Sequence, residues 1–267
     1  MQVAIRGGVQ IGVKRMGDGP PLVLLHAFPL SKRMWRPQFE ALAPHASLLA
    51  VDLRGFGASS GWQGAAPSVD AMADDVAQVL DALGVNERVA VAGVSMGGYV
   101  ALAFAERHRR KLRALALSNT RAEADDPGAK AARASTLARL EAGEAGALRD
   151  ELIARMTSPV TMEKRPLVMT ELRAIAHMQE DRALTDATRA LRDRPDRTAL
   201  LGTIMVPTVV IAGKDDVVSP PASLELLAKR IPRAELVVVE GAGHLPSLEA
   251  PEAWNQAALR LLNKLSN

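Results

Sequence analysis

Short apolar runs alternate with amphipathic stretches along most of the chain. Continuous runs such as PLVLL, VVIA and LVVV are typical of strands that are covered on both faces, as in a mostly parallel sheet. Residues 2–6 and 9–14 alternate around Gly7-Gly8 and predict a hairpin. The further predicted strands are Leu22–His26, Ser47–Asp52, Arg88–Gly93, Leu112–Ser118, Thr208–Ala212 and Glu235–Glu240.

Helical spacing of apolar residues fills the intervals between these strands. From Val69 to Leu83 the apolar positions fall on one helix face, with Ser68 as the N-terminal cap and Gly84 as the stop. Strands that alternate with helices predict an α/β chain. We therefore expect an open, twisted, mostly parallel sheet flanked by helices.

The alternation breaks between Arg121 and Leu200. This stretch holds 14 basic and 14 acidic side chains and no aromatic residue, a higher charge density than in the chain as a whole. Helical stripes continue there, but no strand pattern appears. We predict an all-helical cap in residues 121–200, inserted into a core formed by residues 1–120 and 201–267.

Composition narrows the function classes. The chain has 267 residues and 48% hydrophobic content, enough for a large core in a single domain. Its net charge of +3 is spread without a basic block, which argues against nucleic acid as a partner. The absence of cysteine excludes disulfides, a thiol nucleophile and zinc–thiolate sites, so any chemistry must come from other residues.

The N-terminal residues, MQVAIRGGVQIGVK, alternate like a strand and lack the apolar core of a signal peptide. No apolar stretch reaches the roughly 18 residues of a membrane span. We therefore expect a soluble, cytoplasmic protein with no membrane partner. The sequence pattern does not bear on its oligomeric state.

One apolar run, VAVAGVSMGGYVALAFA, is broken by small residues and a single hydroxyl. Within it Gly93-Val94-Ser95-Met96-Gly97 fits the pattern G-x-S-x-G, between a predicted strand, Val89–Ala92, and a predicted helix, Gly97–Glu106. In that context the serine lies in a strained strand-to-helix turn, for which glycines leave room. The helix start also favours a developing negative charge. A serine that merely sits in a packed turn is the structural alternative.

A serine hydroxyl becomes an effective nucleophile when a base takes its proton and an acid orients that base. His244 lies in the Gly-flanked loop EGAGHLPSLEAPE after a predicted strand, where it can reach over the carboxyl edge of the sheet. Asp215 and Asp216 follow another predicted strand. We predict His244 as the base for Ser95, and the pattern alone leaves either aspartate as its partner.

In the order Ser95, Asp216, His244 the chain resembles the α/β-hydrolase family over nearly its whole length. The family's spacing of a glycine, two residues and the acid selects Asp216 and makes Asp215 a turn residue. Some members take the acid after the preceding strand, where this chain has Asn119, and this also favours Asp216.

The segment LLHAFPLSKRMWRPQFE resembles the family's His-Gly-Phe-Pro turn, with Ala27 in place of the glycine. The resemblance implies an oxyanion hole formed by the backbone N–H groups of Phe28 and Met96. Ala27 would be strained if its position needed a positive φ. The segment VDLRGFGASS also resembles a family motif, which implies that Asp52 and Arg54 brace loops rather than act in catalysis.

A serine nucleophile excludes the family branches that use aspartate, such as haloalkane dehalogenases and epoxide hydrolases. Segments such as SNTRAE and LVVVEGAGHLPSLEAPEAWN resemble small carboxylesterases and 3-oxoadipate enol-lactonases. We predict a serine hydrolase of small carboxylic esters that works through an acyl-enzyme intermediate. The alternatives are a lactone hydrolase, a C–C bond hydrolase or perhydrolase, a weakly catalytic ligand sensor, and a module that binds proteins through the charged helices.

No cofactor and no metal are expected. The Gly-rich turn lacks the lysine of a P-loop and the G-x-G-x-x-G spacing of a dinucleotide site, and no His/Asp/Glu cluster has metal-ligand spacing. The expected partner is a small-molecule ester or lactone.

The predicted cap is expected to lie above Ser95 and to line the substrate pocket. Its methionines, including Met156 and Met178, predict an adaptable apolar wall, and Trp35 adds an aromatic face from the core. Arg121, near the base of the cap, is a candidate for binding a substrate carboxylate. The apolar wall favours neutral, short- to medium-chain acyl esters over anionic lactones.

Overall fold

The computed structural model describes residues 1–265, and within them eight strands form one sheet. The strands are β1 Gln2–Ala4, β2 Gln10–Met16, β3 Pro21–Leu25, β4 Ser47–Val51, β5 Val89–Val94, β6 Leu112–Ser118, β7 Thr208–Gly213 and β8 Ala234–Val239. Their order across the sheet is β1-β2-β4-β3-β5-β6-β7-β8. The pairs β1/β2 and β2/β4 are antiparallel, and the other neighbours are parallel. This confirms the predicted α/β class.

Apolar side chains leave the sheet on both faces. In β3, Val23 and Leu25 enter one buried cluster while Leu22 and Leu24 enter the other, because successive side chains of a strand point in opposite directions. Helices cover both clusters, so the central strands are buried along their length. The runs PLVLL and VVIA reflect this two-sided burial, whereas LVVV lies in the edge strand β8 and is mostly only partly buried.

Helices follow most strands. They are α1 Arg36–Leu42, α2 Val69–Ala82, α3 Met96–Arg107, α4 Pro127–Glu141, α5 Ala145–Met156, α6 Pro159–Lys164, α7 Pro166–His177, α8 Asp181–Arg192, α9 Pro221–Arg230, α10 Pro246–Glu249 and α11 Pro251–Asn263. Ser68 is the N-cap residue of α2, as predicted, since its hydroxyl accepts a hydrogen bond from the Ala71 amide at 3.1 Å. No helix in residues 1–265 combines the length and apolar character that a membrane crossing requires.

Between β6 and β7, a stretch that the structure describes throughout, the chain forms helices α4 to α8 and no strand. The parallel strands β5, β7 and β8 all end at the same edge of the sheet. Their carboxyl ends carry Ser95, Asp216 and His244, so residues that are far apart in sequence meet there.

Candidate active site

Ser95 joins β5 to α3 in a backbone conformation that L-residues rarely adopt, with φ 53° and ψ −113°. The turn is possible because the neighbouring residues Gly93 and Gly97 have no side chains. A methyl group at Gly93 would lie 2.2 Å from the Gly97 carbonyl oxygen, and one at Gly97 would lie 2.1 Å from the Leu25 carbonyl oxygen. Main chain therefore packs directly on main chain, which explains the glycines of the motif.

Hydrogen bonds hold the Ser95 main chain on both sides. Its amide donates to the Ser118 carbonyl at 2.9 Å, and its carbonyl accepts from the Gly98 amide and the Thr120 hydroxyl, each at 2.9 Å. The amide of Met96 lies in the first turn of α3, where N–H groups have no acceptor within the helix. The turn thus places a hydroxyl beside helix N–H groups that favour negative charge.

The Asp216 carboxylate and the His244 ring are in direct contact at the ends of β7 and β8. His244 Nδ1 donates to Asp216 Oδ2 at 2.8 Å, and both residues are buried. With its proton on Nδ1, the imidazole has Nε2 left as a proton acceptor. Asp215, by contrast, is partly exposed, and its amide donates to the Ala242 carbonyl at 2.9 Å as part of the turn.

Several donors hold Asp216 in its charged form. Oδ1 accepts from the amides of Val218 at 2.7 Å and Ser219 at 3.0 Å, and Oδ2 accepts from the Asn119 side-chain amide at 2.6 Å. Burial raises the pKa of Asp216, but the hydrogen bond and charge of His244 outweigh it, helped by Asn119 and the Ser219 amide. The net pKa is lowered, so the carboxylate is ionised at neutral pH.

A second buried carboxylate, Glu249, holds the loop around His244. Its Oε1 accepts from the amides of Gly243 at 3.0 Å and Leu245 at 3.1 Å, the two neighbours of the histidine. Its Oε2 accepts from the Ser158 amide at 2.7 Å and the Thr161 hydroxyl at 2.9 Å. Sequence reasoning missed Glu249. Its only signal is an acidic residue five positions after His244.

The histidine loop also contacts the helices between β6 and β7 through its main chain. The His244 amide donates to the carbonyl of Met156, the last residue of α5, at 2.8 Å. Together with the contact between Glu249 and Ser158, this fixes the junction of α5 and α6 against the loop. His244 therefore keeps its position through contacts from the core and from these helices.

The loop after β3 carries His26, Ala27 and Phe28. His26 Nδ1 donates to the Ala27 carbonyl at 3.0 Å, and its Nε2 accepts from the Leu53 amide at 2.9 Å. Burial lowers the pKa of His26 to about 4, so the ring is neutral and serves as a structural bridge. Ala27 lies outside the residues of positive φ, and its amide meets the sulfur of Met34 at 3.3 Å. The alanine fits without backbone strain.

Asp52 braces neighbouring loops and Arg54 braces its own loop against α2, the kind of role that the sequence implied. Buried Asp52 accepts from the amides of Lys32 and Ala58, each at 2.8 Å, and also pairs with the Lys32 ammonium. Arg54 donates from Nε to Asp75 at 2.7 Å. Neither residue lines the cavity at Ser95.

Ser95 and His244 line one cavity of about 220 Å³. Phe28, Arg121 and Met156 line it too. The other lining residues are Tyr99, Asp125, Ala129, Ala132, Arg133, Thr136, Leu152, Arg155, Leu191 and Val218. Arg133 and Arg155 were missed because no pattern separates them from the other arginines of the α4–α8 stretch.

Two predicted pocket residues lie elsewhere, so those predictions are wrong. Trp35 is fully buried and packs on Trp254 with ring centroids 5.1 Å apart, because the turn before α1 directs it into the core under the sheet. Met178 follows the last residue of α7 and is 61% exposed. It lines a separate cavity of about 670 Å³ together with Arg33 and Arg36.

Among residues 1–265, no group of three or more His, Cys, Asp or Glu side chains is placed to hold a metal ion.

Comparison with known proteins identifies a matching sequence family and proteins of similar structure. Residues 20–251 match the sequence model of the family described as alpha/beta hydrolase fold. A pimeloyl-[acyl-carrier protein] methyl ester esterase from Nitrosomonas europaea is 30% identical, covering 91% of this chain and 96% of the relative.

Solved structures agree with this match. A thermophilic esterase from Thermogutta terrifontis, with malate bound, has a TM-score of 0.95 and 36% identity, covering 100% of this chain and 99% of that one. The enol-lactonase from Burkholderia xenovorans LB400 has a TM-score of 0.90 and 26% identity, covering 98% of this chain and 100% of that one.

Proposed function

Because the chain belongs to the alpha/beta hydrolase fold family and is a hydrolase of the esterase or lactonase type, we propose that it cleaves small carboxylic esters with Ser95 as the nucleophile. The hydrogen bond from His244 to Asp216 is the observation that carries this proposal, because His244 lines the same cavity as Ser95. The reaction requires an ester and water and no cofactor.

In the proposed reaction, the Ser95 hydroxyl oxygen attacks the ester carbonyl carbon while His244 Nε2 takes the hydroxyl proton. The bond to the leaving alcohol breaks as His244 returns that proton to the alcohol oxygen, which leaves an acyl-enzyme. Water then attacks the acyl carbon with His244 again as the base, which releases the acid and restores Ser95. Asp216 fixes the tautomer of the ring and stabilises its protonated form.

The negative charge that develops on the carbonyl oxygen needs donors already in place. We assign this role to the backbone N–H groups of Phe28 and Met96. Support comes from the positions of the two residues: Phe28 lines the cavity, and Met96 begins α3 directly after Ser95. Backbone donors held by surrounding structure lose no conformational freedom when the oxyanion forms.

Lactone hydrolysis is the second candidate, since a lactone is a cyclic ester and the same steps open its ring. The likeness to an enol-lactonase over nearly the whole chain favours it. In that case the alcohol stays attached to the acyl group and leaves with the product.

We also propose that residues 121–200 form a cap on a core made of residues 1–120 and 201–267. The lining of the cavity supports this division, because α4, α5 and α8 each contribute side chains to the space above Ser95. The cap would then select the substrate while the core performs the chemistry.

Labelling with a fluorophosphonate probe tests the nucleophile. Ser95→Ala should abolish labelling and lower kcat by about 10⁴-fold or more with the fold intact. Ser219→Ala is the matched control and should be labelled like the wild type, because the Ser219 hydroxyl is buried and has no hydrogen-bond partner among the described residues. Labelling that persists in Ser95→Ala but not in another serine variant would transfer the role to that serine.

A further inference from the structure

The charged residues of the cavity at Ser95 are unbalanced. Its lining contains three arginines, Arg121, Arg133 and Arg155, and one carboxylate, Asp125. A cavity meant for neutral acyl chains gains nothing from three guanidinium groups, since each must give up water to lie beside an apolar ligand. The excess of positive charge therefore points to the ligand.

Asp125 does not offset this excess, because another arginine neutralises it. The buried Asp125 carboxylate lies 2.6 Å from Arg194 Nη1, and Arg194 is itself buried outside the cavity lining. Arg133 Nε is also within 3.2 Å of Asp125. One carboxylate thus faces two guanidinium groups, and the wall around it stays positive.

Arg121 is fixed beside the proposed catalytic loop yet has donors to spare. Its Nη2 donates to the Val218 carbonyl at 2.9 Å, and the Val218 amide donates in turn to Asp216. Its Nε is buried without a partner, but its Nη1 donates to no protein group in residues 1–265, and within the same residues the side chain forms no ion pair with a carboxylate. A guanidinium carries five N–H donors in a planar fork that matches a carboxylate.

Arg155 supplies a second free cation at the cavity mouth. It precedes Met156, whose carbonyl accepts from the His244 amide, and its side chain is exposed without an ion pair to a carboxylate in the described part of the chain. Leu152, Met156 and Leu191 provide apolar surface between these charges. The cavity is smaller than the about 300 Å³ at which drug-sized pockets begin, so it suits a short carbon chain.

We propose that the substrate is a small ester or lactone that carries a free carboxylate, bound by Arg121 with Arg155 at the mouth. This rests on the proposed function of the same site, and it replaces the neutral esters that the methionine content of the cap favoured. The apolar wall holds the carbon skeleton, and the guanidinium groups hold the carboxylate while Ser95 attacks the ester at the other end.

The test compares two esters that differ in one charge. Monomethyl and dimethyl esters of succinate, glutarate and adipate share skeleton and leaving group, and the dimethyl rate is corrected for its two equivalent ends. We expect kcat/KM to favour the monoester by about 10-fold or more at the best chain length, the range of one charge-assisted hydrogen bond. Arg121→Gln should lower the ratio of the two kcat/KM values by about 10- to 100-fold, and Arg155→Gln by less.

Arg36→Gln is the matched control, because Arg36 is an exposed arginine in the other cavity and should leave the ratio unchanged. The proposal is overturned if the dimethyl ester is preferred at every length, or if Arg121→Gln and Arg155→Gln both keep the wild-type ratio. If Arg121→Gln does not fold, a wild-type ratio in Arg155→Gln alone overturns the proposal, because Arg155 is exposed and its variant should fold.

A binding measurement separates this proposal from the proposed function. Calorimetry on Ser95→Ala, which cannot turn over in the proposed mechanism, should give a Kd for the monoester at least about 10-fold below that of the dimethyl ester. Monoester binding without fluorophosphonate labelling of the wild type would contradict the nucleophile and support the carboxylate site. Labelling at Ser95 with equal binding of both esters would support the nucleophile and overturn the carboxylate site.

Discussion

The two halves of the candidate site are held by different physics. The serine half, which comprises the turn Gly93–Gly97 and the loop His26–Phe28, is fixed by main chain packed on main chain and by neutral hydrogen bonds. The histidine half, which comprises Asp216 and the loop Gly243–Glu249, is fixed by two buried carboxylates. Close main-chain packing therefore positions Ser95, whereas the charges of two buried carboxylates position His244. Substitutions that keep the size of a side chain but remove a negative charge should therefore damage only the histidine half.

Asp216→Asn is the most severe test of that difference. The amide keeps the size of the side chain, but it presents a donor or a neutral oxygen to His244, so the ring loses both its tautomer and the partner for its positive form. We expect kcat to fall by about 10⁴-fold in a variant that still folds. Its free energy of unfolding should fall by about 3 kcal/mol, because the amide NH₂ faces two of the four donors that the carboxylate accepts from. Steady-state kinetics on an ester measure the first quantity, and urea unfolding followed by near-ultraviolet circular dichroism measures the second.

Asp215→Asn is the paired control, because Asp215 neighbours Asp216 but contacts the turn only through its amide. Its kcat should stay near that of the wild type. If Asp215→Asn were the slower enzyme, the acid of the site would have been assigned to the wrong aspartate.

Glu249→Gln tests the second carboxylate. Four donors face the Glu249 oxygens, and a glutamine would turn its own NH₂ group toward two of them. We expect the free energy of unfolding to fall by about 3 kcal/mol, the cost of leaving two buried donors without acceptors. Because the loop carries His244, kcat should fall while KM changes less. Urea unfolding and ester kinetics provide the two readouts.

Glu240→Gln controls for the loss of a negative charge in the same loop. Glu240 is exposed and pairs with the exposed Lys214, so its loss should change stability by less than about 1 kcal/mol. Equal destabilisation by both variants would show that Glu249 acts only as a surface charge.

The smallest expected effect is a pH dependence that belongs to the serine half. Burial lowers the pKa of His26 from 6.5 to about 4. Above pH 6.5 the ring is neutral in the folded and unfolded states, and its contribution to the free energy of unfolding has its full value. Below pH 6.5 the unfolded state binds a proton at His26 and the folded state does not. The free energy of unfolding therefore falls as the pH is lowered from 6.5 to about 4. At pH 5 the loss should be about 2 kcal/mol.

His26→Gln isolates this effect, since glutamine offers an acceptor to the Leu53 amide and does not titrate. Urea unfolding at pH 7.5 and pH 5 should show a larger drop for the wild type than for the variant. The pKa of Asp216 is lowered instead, so its contribution is lost only as the pH falls below the ordinary aspartate range near about 4. Identical drops in wild type and variant would show that His26 is protonated in the folded protein.

What the sequence predicted well was encoded locally. Apolar runs identified the strands because burial on both faces leaves no polar position in PLVLL. The pattern around Ser95 identified its turn because the close approach of Gly97 to Leu25 excludes a side chain. Each of these signals lies within a few residues of the structure it specifies.

What the sequence could not predict depends on contacts between distant segments. Glu249 meets Ser158 across 91 residues, and Asn119, noted only for lacking a carboxyl group, donates to Asp216 across 97. Trp35 and Met178 were misplaced for the same reason. Their residue types suit a pocket wall, but the direction in which they point is set by the packing of whole elements.

The hydrogen bond from the His244 amide to the Met156 carbonyl has a consequence for building chimeric enzymes. A chimera in which residues 121–200 come from a relative is joined to the rest of the chain by peptide bonds at its two ends. It must also form a third, non-covalent connection, the hydrogen bonds between the α5–α6 junction and the histidine loop. The incoming segment must bring a carbonyl at position 156 and an amide at position 158 into register with the histidine loop. A donor with one residue more or fewer before that junction would therefore disturb the base itself, however well its two ends were matched.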